Sequence, residues 1–292
     1  MNSPSQPFPL FRLLIGSICI SFSPVFIKVA DVDPDLAGFY RMFFAVLGLL
    51  PLFLLQREKL NLTRQGFLVL LACGFFLGID FMFWHRSINL IGPGLSTLLG
   101  NFQVFFTALF SWLFLKEKVT GLFALAVVIA FCGLLFITGG DVFVLATTVK
   151  MGIIFGLLTA VFYSIYILLI KQAMTGSQVS GITATLIVSI SCMLFLALFG
   201  SVKGISFAVT DSRSLLALAA VGLICTALGW SLISSAIKQV PATLAGLVLL
   251  LQPTLAFIWD VLFFRRPTGG YEYLGIMLIL SAIYLGTQRR GN

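Results

Sequence analysis

The sequence predicts an all-α integral membrane protein whose transmembrane helices form two inverted five-helix repeats. Three observations predict it. Of 292 residues, 60% are hydrophobic and 10% charged, whereas an ordinary soluble domain is about 25% charged. A soluble fold of this composition would have to show much of its apolar surface to water. The mean hydropathy of +1.11 agrees. The apolar residues also fall in continuous runs rather than in alternation, which favours helices over a β-barrel. A span needs roughly 20 residues, so a chain of this length holds about ten transmembrane helices with short connections. Finally, the two halves of the chain resemble each other.

The runs lie near 10–29, 36–55, 66–84, 92–115, 121–138, 151–171, 181–200, 214–236, 241–264 and 272–287. Loop chemistry separates them. Asp31 to Asp35 includes Pro34, Gln56 to Gln65 is the most charged connector, Gly139 and Gly140 follow the fifth run, and Lys203 to Arg213 is polar. Short connections make consecutive spans antiparallel. The first run is too long for a cleavable leader and lacks a small-residue cleavage site, so it reads as an uncleaved span.

Ile27-Lys28-Val29-Ala30 recurs as Ile170-Lys171-Gln172-Ala173, and Gly38 as Gly181, at an offset of 143 residues. Gln103 recurs as Gln252 and Phe114 as Phe263, at an offset of 149. These matches divide the chain into units 1–143 and 144–292. An odd number of spans per unit inverts the second copy, a recurrent transporter architecture. Basic residues of the first half favour a cytoplasmic N-terminus: Arg12, Arg57, Lys59, Arg64, Lys116 and Lys118 on that side against Lys28 and Arg86 on the other. Both termini are then cytoplasmic, in a plasma membrane, with the bacterial inner membrane favoured.

The net charge of +8 is scattered over loops and span ends, which reads as a topology signal and not as nucleic-acid binding. Cys19, Cys73, Cys132, Cys192 and Cys225 lie inside apolar runs without CxxC spacing, so they read as small buried side chains. No metal site or cofactor is expected. No Walker-type phosphate loop occurs, so ATP hydrolysis is not expected of this chain.

Two stretches carry a resemblance: Phe83-Trp84-His85-Arg86-Ser87-Ile88, and Leu113-Phe114-Leu115-Lys116-Glu117-Lys118-Val119-Thr120. The chain resembles the EamA-type transporters of the drug/metabolite transporter superfamily over essentially its whole length. The second stretch is similar to the family's apolar run ending in Gly-Glu-x-x-Thr, with Lys116 in place of Gly. Pro253, after Gln252, falls where such proteins commonly carry a proline in the ninth span; Val104 replaces its equivalent in the first half, and Arg266 stands where Glu is common. The resemblance implies transport of a small molecule. It leaves the substrate open among amino acids, drugs, nucleosides and other metabolites, while relatives of the fold handle sugar phosphates and nucleotide sugars.

Asp80 lies deep in the third span, where a carboxylate costs about 2.5–3.5 kcal/mol to insert. Such residues face the bundle interior and mark pathways. Asp80 therefore reads as an ammonium ligand or proton-coupling group, or as the partner of Arg41 in an interhelical ion pair. Trp84, four residues on, shares its face and reads as a stacking or an interfacial aromatic. His85, the single histidine, reads as an interface residue. Thr159, Tyr163 and Tyr166 recur at helical spacing on one inward face of the sixth span; with Trp230 of the eighth they read as an aromatic wall that contacts substrate, or as helix packing. Lys28 and Lys171 read as snorkelling span ends or as ligands of an anionic group, and Glu117 as a solvated loop anchor. The pairs Gly74/Gly78, Ser96/Gly100 and Gly152/Gly156 read as close-packing positions.

Ser96, Gly100, Gln103, Thr107 and Ser111 form a small or polar stripe on the fourth span. The offset maps it to Ala245, Leu249, Gln252, Ala256 and Asp260 on the ninth. Pro253 removes the helical partner of the Leu249 carbonyl, which is tolerated where backbone lines a cavity. Gln103 and Gln252 are expected to face each other there and to bind substrate, or else to glue the helices together. The leading function is a secondary transporter or facilitator, an exporter of a small metabolite such as an amino acid. The alternatives are a sugar-phosphate or nucleotide-sugar transporter, a channel, or a membrane enzyme, the last disfavoured by a single histidine and few embedded carboxylates. The partners are the small-molecule substrate and the lipid bilayer, with monomer and homodimer both open.

Overall fold

Backbone N–H and C=O groups in hydrocarbon must pair within the chain, so a spanning segment coils into a helix. The computed structural model describes residues 8–56, 62–115, 121–137, 146–175, 180–236 and 248–288. Its helices are α1 (Phe8–Ser21), α2 (Ser23–Ala30), α3 (Pro34–Gln56), α4 (Arg64–Ile91), α5 (Pro93–Gly100), α6 (Gln103–Leu115), α7 (Gly121–Ile137), α8 (Thr147–Thr175), α9 (Gly181–Val202), α10 (Ser212–Ala220), a π-helical segment (Val221–Gly229), α11 (Trp230–Ala236), α12 (Leu251–Phe264) and α13 (Gly270–Gln288). Seven stretches of the described residues are long and apolar enough to cross a membrane, and Gly121–Ile137, Leu251–Phe264 and Gly270–Leu285 are shorter apolar helices.

The helices begin where side chains cap the first free N–H groups. Thr63 accepts from Gly66 N before α4, Ser180 from Thr183 N before α9, and Asp211 from Ser214 N before α10. The Ser214 hydroxyl and backbone bonds also hold the Asp211 carboxyl below its ordinary range.

Three expected spans are not uniform α-helix. The first breaks at Phe22, where Pro24 opens α2 without an N–H to give. The fourth breaks between Gly100 and Gln103; there Asn101 Nδ2 donates to Thr97 O at 2.8 Å and competes with the backbone ladder. The eighth widens into the π-helical segment.

Helix α4 packs along α8 and α9, α3 along α9 and the π segment, α5 against α12, α1 against α11 and α12, and α7 against α13. Small residues permit the approach. A Cβ on Gly74 would lie 2.7 Å from Cys192 N, one on Gly78 2.5 Å from Phe195, and one on Gly156 2.9 Å from Leu99. Buried hydroxyls tie the same crossings: Ser87 Oγ donates to Gly152 O at 2.8 Å and Ser191 Oγ to Leu71 O at 2.8 Å. The outer surface is apolar, with Leu55 79% and Val202 80% exposed, as a bilayer-facing surface must be. Cys132, expected to be buried, is exposed on α7 beside the exposed Phe131 and Leu135. All five cysteines are free thiols.

The α7–α13 crossing is the closest backbone approach of this kind: a Cβ on Gly133 would sit 2.7 Å from Gly275 O, and one on Gly275 2.5 Å from Gly133 O. Backbone cannot rotate away as a side chain can. Gly133→Ala should therefore lower stability by roughly 1–3 kcal/mol, read as a lower melting temperature in detergent. Gly121→Ala, with open space around it, should leave the melting temperature unchanged.

Candidate functional site

Two opposite charges lie inside the bundle. Arg41 is seven residues into α3, about 10 Å along its axis, and is 5% exposed. Asp80, in the middle of α4, is 4% exposed. Each charge acts on the other electrostatically, yet no nitrogen–oxygen pair between them comes within the 4.0 Å of an ion pair. Among the described residues Arg41 Nη1 and Asp80 Oδ1 are buried with no hydrogen-bond partner. The direct Arg41–Asp80 ion pair that the sequence allowed does not form.

The surrounding structure holds the two groups apart. Arg41 Nε donates to Thr226 Oγ1 at 3.1 Å, and that hydroxyl donates to Val221 O at 3.0 Å. The acceptor carbonyl opens the π-helical segment, so the wide turn aims Thr226 at the guanidinium; π-bulges recur at functional sites. Arg41 Cζ stands 4.3 Å from the Phe81 ring centroid and 5.3 Å from that of Trp84, within cation–π range. On the other side, Thr159 Oγ1 donates to Asp80 O at 3.4 Å and anchors α8 on α4. Tyr163 and Tyr166 stack with centroids 5.5 Å apart, and the charges of Arg41 and Asp80 both act on Tyr163. The Thr159–Tyr163–Tyr166 face thus points inward, its two tyrosines packed on the same buried cluster, around Phe81, on which Trp84 also packs.

The motif around Trp84 spreads in four directions. Trp84 turns to Arg41 and is half-buried inside the bundle. His85, expected at an interface, is fully buried; Nδ1 donates to Pro34 O at 2.9 Å and the ring stacks on Phe81. Arg86 binds both oxygens of Asp35, at 2.6 and 2.7 Å, and Ser87 ties α8. Lys203 reaches Asp35 at 3.3 Å. At the same end of the bundle Asp260 accepts from Gly94 N at 2.9 Å, while Arg266 stands 3.7 Å from Asp260 and donates to Ile91 O at 2.7 Å. Lys28 Nζ donates to Asn89 O at 3.3 Å, so its head is bonded to the chain.

The stripe on the fourth and ninth runs is largely buried, including Ser96, Thr107, Ser111, Ala256 and Asp260. Ser96 Oγ donates to Gly92 O at 2.7 Å, and Thr107 Oγ1 to Gln103 O at 2.6 Å. Gln103 and Gln252 are half-buried, and among the described residues no hydrogen bond joins them. Pro253 sits in the first turn of α12, where an N–H has no intrahelical partner in any case. A Cβ on Gly100 would meet Thr159 Cγ2 at 3.3 Å and Trp84 Cδ1 at 4.0 Å, which brings the end of α5 to the charged site. Trp230 begins α11, and among the described residues no ring contact joins it to Tyr163 or Tyr166. Ala245 and the Lys116-to-Thr120 part of the motif, with Glu117, lie outside the described residues.

Sequence reasoning passed over Thr226 and Phe81 and gave Arg41 only the role of an ion-pair partner. The insertion cost that singled out Asp80 applies equally to Arg41. Nothing in Val221 to Gly229 signals a π-turn.

Multi-pass helices around interior charges define a membrane protein with a polar core. The profile described as the EamA-like transporter family matches at residues 8–139 and 150–287, and the chain belongs to that family. It is 24% identical over 229 residues to the Bacillus subtilis (strain 168) "Uncharacterized transporter YxxF", covering 78% of this chain and 72% of that protein. It is 21% identical over 287 residues to "Uncharacterized transporter YoaV" of the same organism, covering 95% and 97%. A solved crystal structure shares the fold with a TM-score of 0.66 at 16% identity, covering 96% of this chain and 98% of that one. The chain is a membrane transporter and not an enzyme.

Removing one partner of a buried hydrogen bond costs more than removing both. Thr226→Val should lower the unfolding free energy by about 1–3 kcal/mol, and adding Arg41→Met should recover much of that loss. Denaturation of the two single variants and the double variant checks the cycle; additive losses would mean that the Arg41–Thr226 bond contributes little.

Proposed function

We propose that the chain is a secondary transporter that exports a small metabolite such as an amino acid, through alternating access around Arg41 and Asp80. The observation that carries this reading is the pair of buried, unpartnered charge-bearing atoms inside an apolar bundle. Intramembrane charges without partners are expensive, and where they persist they mark substrate or ion pathways.

The helix pairings support two inverted repeats, 1–143 and 144–292, of five spans each. Under an exchange of halves, α4 against α8 corresponds to α11 against α1, and α3 against the π segment to α9 against α4. The pairs α3 with α9, α5 with α12 and α7 with α13 map onto themselves. The two family matches agree with this division. Equivalent helix starts give the register: Pro34 and Gly181 differ by 147, Arg64 and Ser212 by 148, Gly121 and Gly270 by 149. The offset between the halves thus rises by one residue from each of these helices to the next.

With both termini cytoplasmic, in a bacterial inner membrane, the ion pairs of Asp35, Arg86, Lys203, Asp260 and Arg266 lie on the external face. They hold that face together, and export requires that the buried charged site be loaded from the cytoplasmic side. Gln103, Gln252, Ser96, Thr107, Trp84, Tyr163, Tyr166 and Trp230 are proposed to line the path beside Asp80.

Reconstitution in liposomes tests the reading. Saturable counterflow of a neutral amino acid is expected, abolished by Asp80→Asn at normal membrane abundance. Gln103→Leu and Gln252→Leu should raise the half-saturation concentration several-fold. Flux that rises linearly with concentration would indicate a channel and overturn the reading.

A further inference from the structure

We infer that Arg41 and Asp80 form a clamp of two signs that recognises a small zwitterion, with the anionic group on Arg41 and the cationic group on Asp80. The inference rests on the transporter reading above and adds the chemical class that the site selects.

The argument begins with what each charge lacks. Arg41 spends Nε on Thr226 and its planar face on Phe81 and Trp84. Those contacts fix the guanidinium plane but leave the Nη1 edge unbonded. An Arg edge with free N–H groups matches a carboxylate, which accepts two parallel bonds. Asp80 uses its backbone carbonyl to receive Thr159 and leaves Oδ1 without a donor. A carboxylate oxygen accepts from an ammonium group and cannot donate to a substrate anion. The two needs are opposite and close enough for each charge to feel the other, yet the groups do not touch.

A ligand with one charge would satisfy one group and leave the other buried and unpaired, at a cost of several kcal/mol. A ligand with both charges satisfies the two together and adds no net charge to the membrane interior. The rest of the lining suits an apolar or aromatic body: Trp84, Tyr163 and Tyr166 are half-buried around the pair, and the missing Cβ of Gly100 lets the end of α5 come close to Trp84 and Thr159. Both charged residues belong to the first half of the chain. Their equivalents on α9 and the π segment, near Val188 and Leu228 at the helix-start offsets of 147 and 148, are apolar. The clamp is therefore one-sided within a pseudo-symmetric bundle, and it holds its ligand in one orientation.

The test uses the whole protein in lipid nanodiscs and three probes of matched shape: phenylalanine, phenylalaninamide, which keeps only the ammonium, and N-acetylphenylalanine, which keeps only the carboxylate. Binding is read by tryptophan fluorescence and by the shift in melting temperature. The wild-type protein should prefer phenylalanine over either single-charge probe by roughly 100-fold or more, since a site built for a polar partner strongly rejects an analogue lacking it. Arg41→Gln should bind phenylalaninamide as well as phenylalanine, and Asp80→Asn should bind N-acetylphenylalanine as well as phenylalanine. Arg41→Lys, which keeps the charge, should retain the zwitterion preference at lower affinity and covers the case in which a neutral variant fails to fold. Equal binding of the three probes by the wild type, binding of none, or unchanged discrimination in the variants overturns the clamp. Saturable liposome flux of another metabolite alongside such a result would leave the transporter reading intact, whereas loss of all saturable flux would bring down that reading as well.

Discussion

Holding opposite charges apart inside hydrocarbon is the constraint on which the rest of this structure depends. A charged side chain at the centre of a span costs about 2.5–3.5 kcal/mol on insertion scales, and leaving a buried charge unpaired adds several more. Direct contact between Arg41 and Asp80 would relieve much of that. The fold prevents it with ordinary means: a π-turn that aims Thr226 at Arg41, two aromatic faces that fix the guanidinium plane, and Thr159 holding α8 against the Asp80 carbonyl. Each device comes from a different helix, so the separation is a property of the assembled bundle.

The same chain brings opposite charges into contact at one end, although Arg266 Nε there stays without a partner among the described residues. Asp35 receives two cations, and Asp260 receives both a backbone N–H from the start of α5 and the Arg266 guanidinium. These contacts join α3, α4, α5, α9 and α12, and α3 and α4 carry the interior pair. Ion pairs at the rim fix the geometry, while the unpartnered atoms of Arg41 and Asp80 at the centre supply a need that a ligand can meet. Gly92, with φ of 86°, makes the turn that lets α5 present its N–H to Asp260.

Much of the architecture was legible in the sequence because the bilayer imposes a strong pattern. The apolar runs mark the helices. Asp80 stood out because a carboxylate in an apolar run has few explanations. The inward face of Thr159, Tyr163 and Tyr166 followed from helical spacing. What escaped depends on tertiary geometry. The break at Asn101 and the π-turn near Thr226 alter helix phase without changing hydrophobicity, so a stripe drawn on an ideal helix through Gly100 and Gln103 crosses a discontinuity. His85 looked interfacial because it follows the end of the third apolar run, yet consecutive residues of a helix point about 100° apart; Arg86 reaches the rim while His85 packs inside.

The central claim is that the interior charges are kept apart for a ligand. Cryo-electron microscopy of the protein in nanodiscs with saturating phenylalanine tests it most directly. The account predicts ligand density between the Arg41 Nη1 edge and the Asp80 carboxylate, with the Thr226 contact retained. Arg41 and Asp80 bonded directly to each other, with the ligand elsewhere, would contradict it.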